Sequence, residues 1–380
     1  MNVKNTLRKV RRGLPYLSKE LRAIASDNGP VFIGLPRTVH IWRGAPCNAR
    51  CIMCDYGFLK GPALQSISKS GFTDDMMPRA LDQIAELSGR GTLVSYMGGE
   101  PTVNRNVMDW VEQSGKLGID FRFTTNGYTM TEEMAQRFVA GGLFNIGVSL
   151  ESLDPAINEV MRPHTNGTQK TISAIDRLLA ERDRQKRHTS INVKTVLSDV
   201  NLESFIDIVK KYAKIDGVMC TPQAFEPMEN MPPATKELLF IKDIKRLEKV
   251  VEEIRQLKRD GYAIHATDEA LDSMIKLYRD DKNKNSTMHG QKMEMDASEP
   301  TCNIATDNLW IENGLVKLCP YHPPIGNFMT DTHTTLKEMW HGEITARIRK
   351  QTRACRRLCT VSCLRRTPLK HKVSMFMKIG

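Results

Sequence analysis

Three cysteines, Cys47, Cys51 and Cys54, fall within one short stretch, Cys47-Asn-Ala-Arg-Cys51-Ile-Met-Cys54, with C-x3-C-x2-C spacing. Three thiolates on one loop can each take a different iron of a 4Fe-4S cluster and leave the fourth iron without a protein ligand. An iron left open in that way can be chelated by an amino and a carboxylate group of a small molecule and can pass it an electron. Zinc is the competing occupant, but structural zinc sites close with four ligands, and this stretch holds no fourth Cys or His. A second group, Cys355, Cys359 and Cys363, lies near the other end of the chain, with Cys302 and Cys319 upstream of it and Cys220 alone between. Clustering of nine cysteines in a chain without a secretory signal points to metal ligands rather than disulfides.

Loops can hold such groups only where a scaffold presents them. Candidate strands run over Val39 to Arg43, Thr92 to Met97, Asp120 to Thr124, Asn145 to Leu150, Ser190 to Val196 and Gly217 to Thr221, each rich in β-branched or aromatic residues. Helical periodicity separates them at Met76 to Leu87, Val107 to Leu117, Thr131 to Ala140, Thr171 to Arg182 and Leu202 to Ala213. Strand followed by helix, repeated along the chain, predicts an α/β fold with a parallel sheet and helices outside it. Six units are too few to close an eight-unit barrel, so the expectation is a partial (β/α)6 barrel, with ligands at the C-terminal ends of its strands. The three-cysteine loop directly follows the first strand. Gly98-Gly99-Glu100-Pro101 ends the second, Thr124-Thr125-Asn126-Gly127 the third, and Ser149-Leu150-Glu151 the fourth.

This ordered set resembles the radical S-adenosylmethionine (SAM) superfamily, from Thr38 to Leu364. The resemblance implies that Cys47, Cys51 and Cys54 hold the SAM-binding 4Fe-4S cluster and that Gly98, Gly99, Glu100 and Pro101 form the family's GGEP segment, with Glu100 accepting from the SAM amino group. It further implies that Thr125 and Asn126 belong to the SAM-facing segment after the third strand and that Ser149 and Glu151 contact the ribose or carboxylate. Arg162, in Val160-Met-Arg-Pro163, matches a family arginine that pairs with the SAM carboxylate, a task suited to a planar fork of donors. Asn192 and Lys194 on the fifth strand are candidates to face SAM as well. The family commonly has an aromatic residue before the third cysteine, where this chain has Met53; Tyr56 is the candidate to supply that adenine contact.

Toward the C-terminus, Cys302, eleven residues, Gly314, four residues and Cys319 are similar to the opening of the SPASM and Twitch domains, which hold auxiliary 4Fe-4S clusters. Between the two cysteines, Leu309 to Leu318 reads as a hairpin with an Asn-Gly turn. The resemblance implies a small C-terminal SPASM/Twitch-like domain. Its five cysteines suit one auxiliary cluster, with Cys302, Cys319, Cys359 and Cys363 favoured as ligands and Cys355 the extra one. The expected divisions are a basic segment 1–36, the barrel 37–235, a helical linker 236–300 and the auxiliary domain with its basic tail 301–380.

The net charge of +11 is uneven: residues 1–22 hold seven basic residues against Glu20, and residues 344–380 hold eleven and no acid, so the body between them is mildly acidic. That argues against a nucleic-acid-binding barrel and leaves the basic ends to an anionic surface, a phosphorylated substrate or peripheral membrane contact. No apolar run approaches the length of about 20 residues that a membrane span requires, which predicts a cytoplasmic protein. The implied activity is reductive cleavage of SAM to a 5′-deoxyadenosyl radical and removal of a substrate hydrogen atom, driven by a reducing partner such as flavodoxin or ferredoxin. The outcome is oxidation, or epimerisation if Cys220, placed by this reading at the end of the sixth strand, returns a hydrogen atom. The short segment before the first strand favours a small-molecule or sugar-like substrate; a peptide or protein substrate is the alternative. The reading from a different class is a structural metal protein that binds nucleic acid, which predicts zinc and leaves Glu100 without a purpose.

Overall fold

The structure is a computed structural model that describes residues 34–228, 230–279, 307–319 and 322–353, together with 14, 17, 18, 21 and 22. In chain order its main elements are β1 (Thr38–Trp42), α1 (Asp55–Phe58), α2 (Gly61–Ser68), α3 (Met76–Ser88), β2 (Leu93–Met97), α4 (Asn106–Leu117), β3 (Asp120–Thr125), α5 (Glu132–Ala140), β4 (Asn145–Ser149), α6 (Pro155–Met161), α7 (Gly167–Gln185), β5 (Ser190–Leu197), α8 (Ser204–Tyr212) and β6 (Val218–Ala224). There follow α9 (Pro233–Leu239), α10 (Ile244–Arg259), α11 (Asp268–Arg279), β7 (Asn308–Glu312), β8 (Leu315–Lys317), β9 (Gly326–Asn327), α12 (Leu336–His341) and α13 (Glu343–Arg353).

Strands β1 to β6 lie side by side in sequence order and pair in parallel, each crossing over through helix, as the alternation of period-2 and period-3.6 patterns requires. Their outward side chains, such as Val94, Phe121, Phe123, Ile146, Val148, Ile191 and Val193, are buried against the helices. Polar side chains start the helices where the turns need them. Thr131 accepts from the Met134 N–H at the head of α5, and Asp154 accepts from the Ala156 N–H beside Pro155 at the head of α6. No helix among the described residues is long and apolar enough to cross a membrane.

Three features extend the sequence expectation. The Asn-Gly hairpin forms, with Asn313 and Gly314 both at positive φ, and its first strand β7 pairs in parallel with β1. The hairpin therefore continues the barrel sheet at its β1 edge, and its turn touches the approach to the cysteine loop: Asn313 N–H donates to Trp42 O at 2.7 Å, and Gly44 N–H to Asn313 Oδ1 at 2.8 Å. The first part of the expected helical linker is split into two helices, α9 and α10. Phe240 and Ile241 break it by entering the core, and Asp243 caps α10 through the Arg246 N–H. Finally, α10 and α11 bury Leu247, Val251, Ile254, Leu271 and Met274 in the same core as the barrel, so this part of the expected linker is a packed layer.

Candidate active site

Each functional segment leaves the C-terminal end of a strand. After β1 the chain turns into the cysteine loop; after β2 it makes the tight Gly98-Gly99 corner. Gly98 has φ +113° and Gly99 φ +52°, and a Cβ on Gly98 would stand 1.9 Å from Arg43 O, so only glycine lets the two loops lie against each other. The Glu100 N–H donates to Pro46 O at 3.0 Å, Asn126 Nδ2 to Asn48 Oδ1 at 2.8 Å, and the Ile52 N–H to Met161 O at 3.0 Å. The cysteine loop is thereby tied to the ends of β2 and β3 and to the end of α6.

Cys51 is buried and Cys47 and Cys54 are half-buried. Burial pushes the thiols of Cys47 and Cys54 up to about 11, and neighbouring thiols of the trio push in the same direction. Such a pocket disfavours thiolates until a cation compensates them, which fits a metal-cluster site. Among the described residues no three His, Cys, Asp or Glu side chains gather as ligands of a single ion. A single ion needs its ligands to converge on one point, whereas a cubane takes each thiolate on a separate iron. Met53, Met161, Phe225 and Met231 pack with the loop in one apolar cluster.

Glu100 is 3 % exposed and organises the rim. Its Oε1 accepts from the Thr102 N–H (3.0 Å), Thr102 Oγ1 (2.6 Å) and Thr125 Oγ1 (2.6 Å), and its Oε2 accepts from the Asn126 N–H (2.7 Å). Burial raises its pKa and these four donors oppose the rise. The carboxylate thus joins the GGEP segment to the segment after β3, and only Oε2 keeps room for another donor. Pro101 opens a short 3-10 turn, Pro101–Val103, that aims the Thr102 N–H at Glu100.

Glu151 and Arg162 form a second buried unit. Arg162 Nε donates to Glu151 Oε1 at 2.6 Å, the Val196 N–H donates to Glu151 Oε2 at 2.6 Å, and Arg162 Nη1 lies 3.3 Å from Cys51 Sγ. Burial works against the charge on Arg162, but Cys51 and Glu151 outweigh it and raise its pKa. Arg162, expected to hold a carboxylate of SAM, is paired here with the carboxylate of Glu151. Glu151 likewise has both oxygens engaged by protein donors. Ser149 ends β4, half-buried and in register with Lys194.

One expected placement is corrected. Cys220 is the third residue of β6 rather than its C-terminal end, it is fully buried, and its Sγ points at Ile208 O on α8. The next residue, Thr221, faces inward and bonds Asn192 at 2.8 Å, so strand alternation sends Cys220 to the helix side. Burial alone pushes its thiol up to about 12, and a packing cysteine is what remains. Tyr56 reaches the loop, but its hydroxyl lies 2.7 Å from both Ala45 O and Ile67 O, which makes it a strut between the cysteine loop and α2. Of the C-terminal cysteines, Cys319 is buried just after β8, whereas Cys302, Cys355, Cys359 and Cys363 lie outside the described residues.

Sequence reasoning missed Asn48, Thr102, Asn158 and Asn201. Asn158 Oδ1 accepts from the Glu151 N–H at 2.9 Å, and Asn201 Nδ2 donates to Glu151 O at 2.9 Å. Thr102, two residues past Glu100, was within reach of local reasoning. The two asparagines became visible only when their elements folded back on β4.

Residues 44–211 match the Radical SAM superfamily model. Among curated proteins, the chain is 24% identical over 180 residues to the AdoMet-dependent heme synthase of Methanosarcina barkeri, covering 47% of this chain and 46% of that protein. It is 29% identical over 194 residues to the GTP 3′,8-cyclase of Tolumonas auensis, covering 48% and 54%. The PqqA peptide cyclase of Bradyrhizobium diazoefficiens is 22% identical over 185 residues, covering 48% and 45%. The chain spans about half the length of these relatives. Among solved structures, Streptococcus suis SuiB bound to S-adenosylmethionine has a TM-score of 0.58 at 14% identity, over 83% of this chain and 68% of that one. Native anSMEcpe with bound AdoMet and a peptide has a TM-score of 0.54 at 16% identity, over 90% and 96%. These likenesses establish the shared fold, and the family match falls on the cysteine loop and the rim that Glu100, Glu151 and Arg162 build. The match to the radical SAM superfamily thus covers residues 44–211, the stretch that holds the cysteine loop and its rim.

Proposed function

We propose that this chain is a radical SAM enzyme that oxidises a small-molecule or sugar-like substrate. The observation that carries the reading is the trio Cys47, Cys51 and Cys54 on one loop, hydrogen-bonded into a rim organised by Glu100. A 4Fe-4S cluster held by these thiolates, with SAM on its open iron, would supply the electron that cleaves SAM to methionine and a 5′-deoxyadenosyl radical. The protein's own contributions are positional. Gly98 and Gly99 admit close backbone approach, Glu100 offers Oε2 to an ammonium, Thr125 and Asn126 fix that carboxylate, and Arg162 steadies Cys51. The apolar packing of Met53, Met161, Phe225 and Met231 limits water around the thiols.

Epimerisation would require a hydrogen donor facing the bore, and Cys220 faces α8, so oxidation is favoured. An auxiliary 4Fe-4S cluster on four of Cys302, Cys319, Cys355, Cys359 and Cys363 would accept the second electron. The reductant would be a flavodoxin or ferredoxin in the cytoplasm. A peptide substrate is the second reading, favoured by the similarity to a PqqA peptide cyclase. Anaerobic reconstitution followed by iron analysis tests both cluster assignments: about eight irons per chain are expected, and about four after Cys302→Ala with Cys319→Ala. Stoichiometric zinc in place of iron would contradict the reading.

A further inference from the structure

Large apolar side chains left exposed are ordinary when they occur singly and informative when they line up. Among the described residues the three most exposed are Leu14 (55 %), Leu17 (52 %) and Leu21 (59 %), and none of them joins the hydrophobic core. The others, such as Val103, Val160 and Leu238, are scattered along the chain. Leu14, Leu17 and Leu21 are helical, as are Ser18 and Arg22, and all five are exposed. At about 100° per residue, steps of three and four bring the leucines into one sector about 60° wide, with Ser18 and Arg22 flanking it on one side. The described fold leaves this apolar stripe uncovered.

The sequence around the stripe indicates what covers it. Leu7, Val10 and Ile24 continue the alternation of three- and four-residue steps on both sides. Residues 1–22 also hold seven Lys and Arg against one acid, Glu20. A second copy of the same segment answers the leucines but not the charge, because two strongly basic surfaces repel. Nucleic acid answers the charge but not the leucines, since its phosphates are met by cationic and polar groups. An anionic bilayer answers both. Leucines enter the boundary between headgroups and acyl chains, and the basic side chains meet the lipid phosphates.

We propose that the segment carrying Leu14, Leu17 and Leu21 docks this protein peripherally on an anionic lipid bilayer, lying in the plane of its surface. The proposal goes beyond the radical-enzyme reading and does not depend on it. A leucine stripe set among many cations lies on a membrane rather than crossing it, in keeping with the lack, among the described residues, of any helix long and apolar enough to span one.

The test is flotation of the full-length protein with vesicles of phosphatidylcholine and phosphatidylglycerol in equal parts, and with vesicles of phosphatidylcholine alone. Binding to the anionic vesicles is expected, at least about tenfold weaker to the neutral ones and weakened by salt. The combined change Leu14→Ser, Leu17→Ser and Leu21→Ser should lower the affinity at least about tenfold and leave thermal melting unchanged, because these side chains lie outside the core. Leu238→Ser, at an exposed leucine elsewhere, should retain full binding. No flotation, equal affinity for neutral vesicles, or unchanged affinity in the triple variant overturns the proposal. So does a dimer, seen by analytical ultracentrifugation in the absence of flotation, that the triple variant abolishes, or binding of a DNA duplex that is tighter than vesicle binding and survives the leucine changes. Protein that cleaves SAM but never floats would contradict this proposal alone; protein that floats but never cleaves SAM would contradict the radical reading alone.

Discussion

At Glu100, three donors converge on one oxygen and one on the other, inside a site that is almost wholly buried. Thr125→Val deletes one of those donors and is expected to destabilise the fold by about 1–3 kcal/mol, because a buried carboxylate loses a partner it cannot replace. Urea denaturation of the metal-free protein checks this, and an unchanged midpoint would show that the rim is not organised as described. Arg162 presents a harsher case. Arg162→Leu would leave Glu151 buried with one oxygen uncompensated, a loss of about 3–5 kcal/mol, whereas the double change to apolar residues should recover much of it. The thiols give a pH signature as well. Cys47 and Cys54 have folded pKa values raised to about 11, so their contribution is fully present below the unfolded thiol value and is lost as pH rises toward 11. Metal-free protein should therefore melt progressively lower above about pH 8.5, and Cys47→Ala with Cys54→Ala should flatten that slope.

Among the elements, the strands were legible because half-buried and doubly covered strands must be rich in Val, Ile, Phe and Thr, and β1 to β6 lie within a few residues of their sequence-read bounds. The Asn-Gly turn was legible for a backbone reason, since both residues take positive φ. What the sequence could not show were facts of facing and partnership. Whether Cys220 looks into the bore or at α8 depends on strand phase, and a one-residue phase error reverses it. That Phe240 and Ile241 interrupt a charged helical run depends on the core they enter. The pairing of β7 with β1 joins residues far apart in the chain, which no local pattern encodes. Two substitutions test the element geometry. Gly98→Ala would force a Cβ against Arg43 O at positive φ and should cost at least about 1–3 kcal/mol while lowering iron retention. Cys220→Ala should cost only about 1 kcal/mol, the price of a small cavity, and leave 5′-deoxyadenosine formation intact. Abolished product release in Cys220→Ala protein of normal stability would return that thiol to the reaction.

Across the whole molecule, one continuous core runs beneath the barrel helices, α10, α11 and the C-terminal hairpin, so the strand that leads to the cysteine loop is clamped on both edges, by β2 and by β7. The arrangement puts a paired and packed frame around a loop whose thiols resist ionisation until metal arrives. The radical reading asks one thing of this frame: that the loop hold a cluster able to break SAM. The direct measurement is 5′-deoxyadenosine and methionine released when anaerobically reconstituted full-length protein is given SAM and dithionite. The account predicts that wild-type protein forms both in equal amounts and that protein with Cys47, Cys51 and Cys54 all replaced by Ala forms neither. A wild-type cluster that assembles and is reduced, yet leaves SAM uncut, would contradict it.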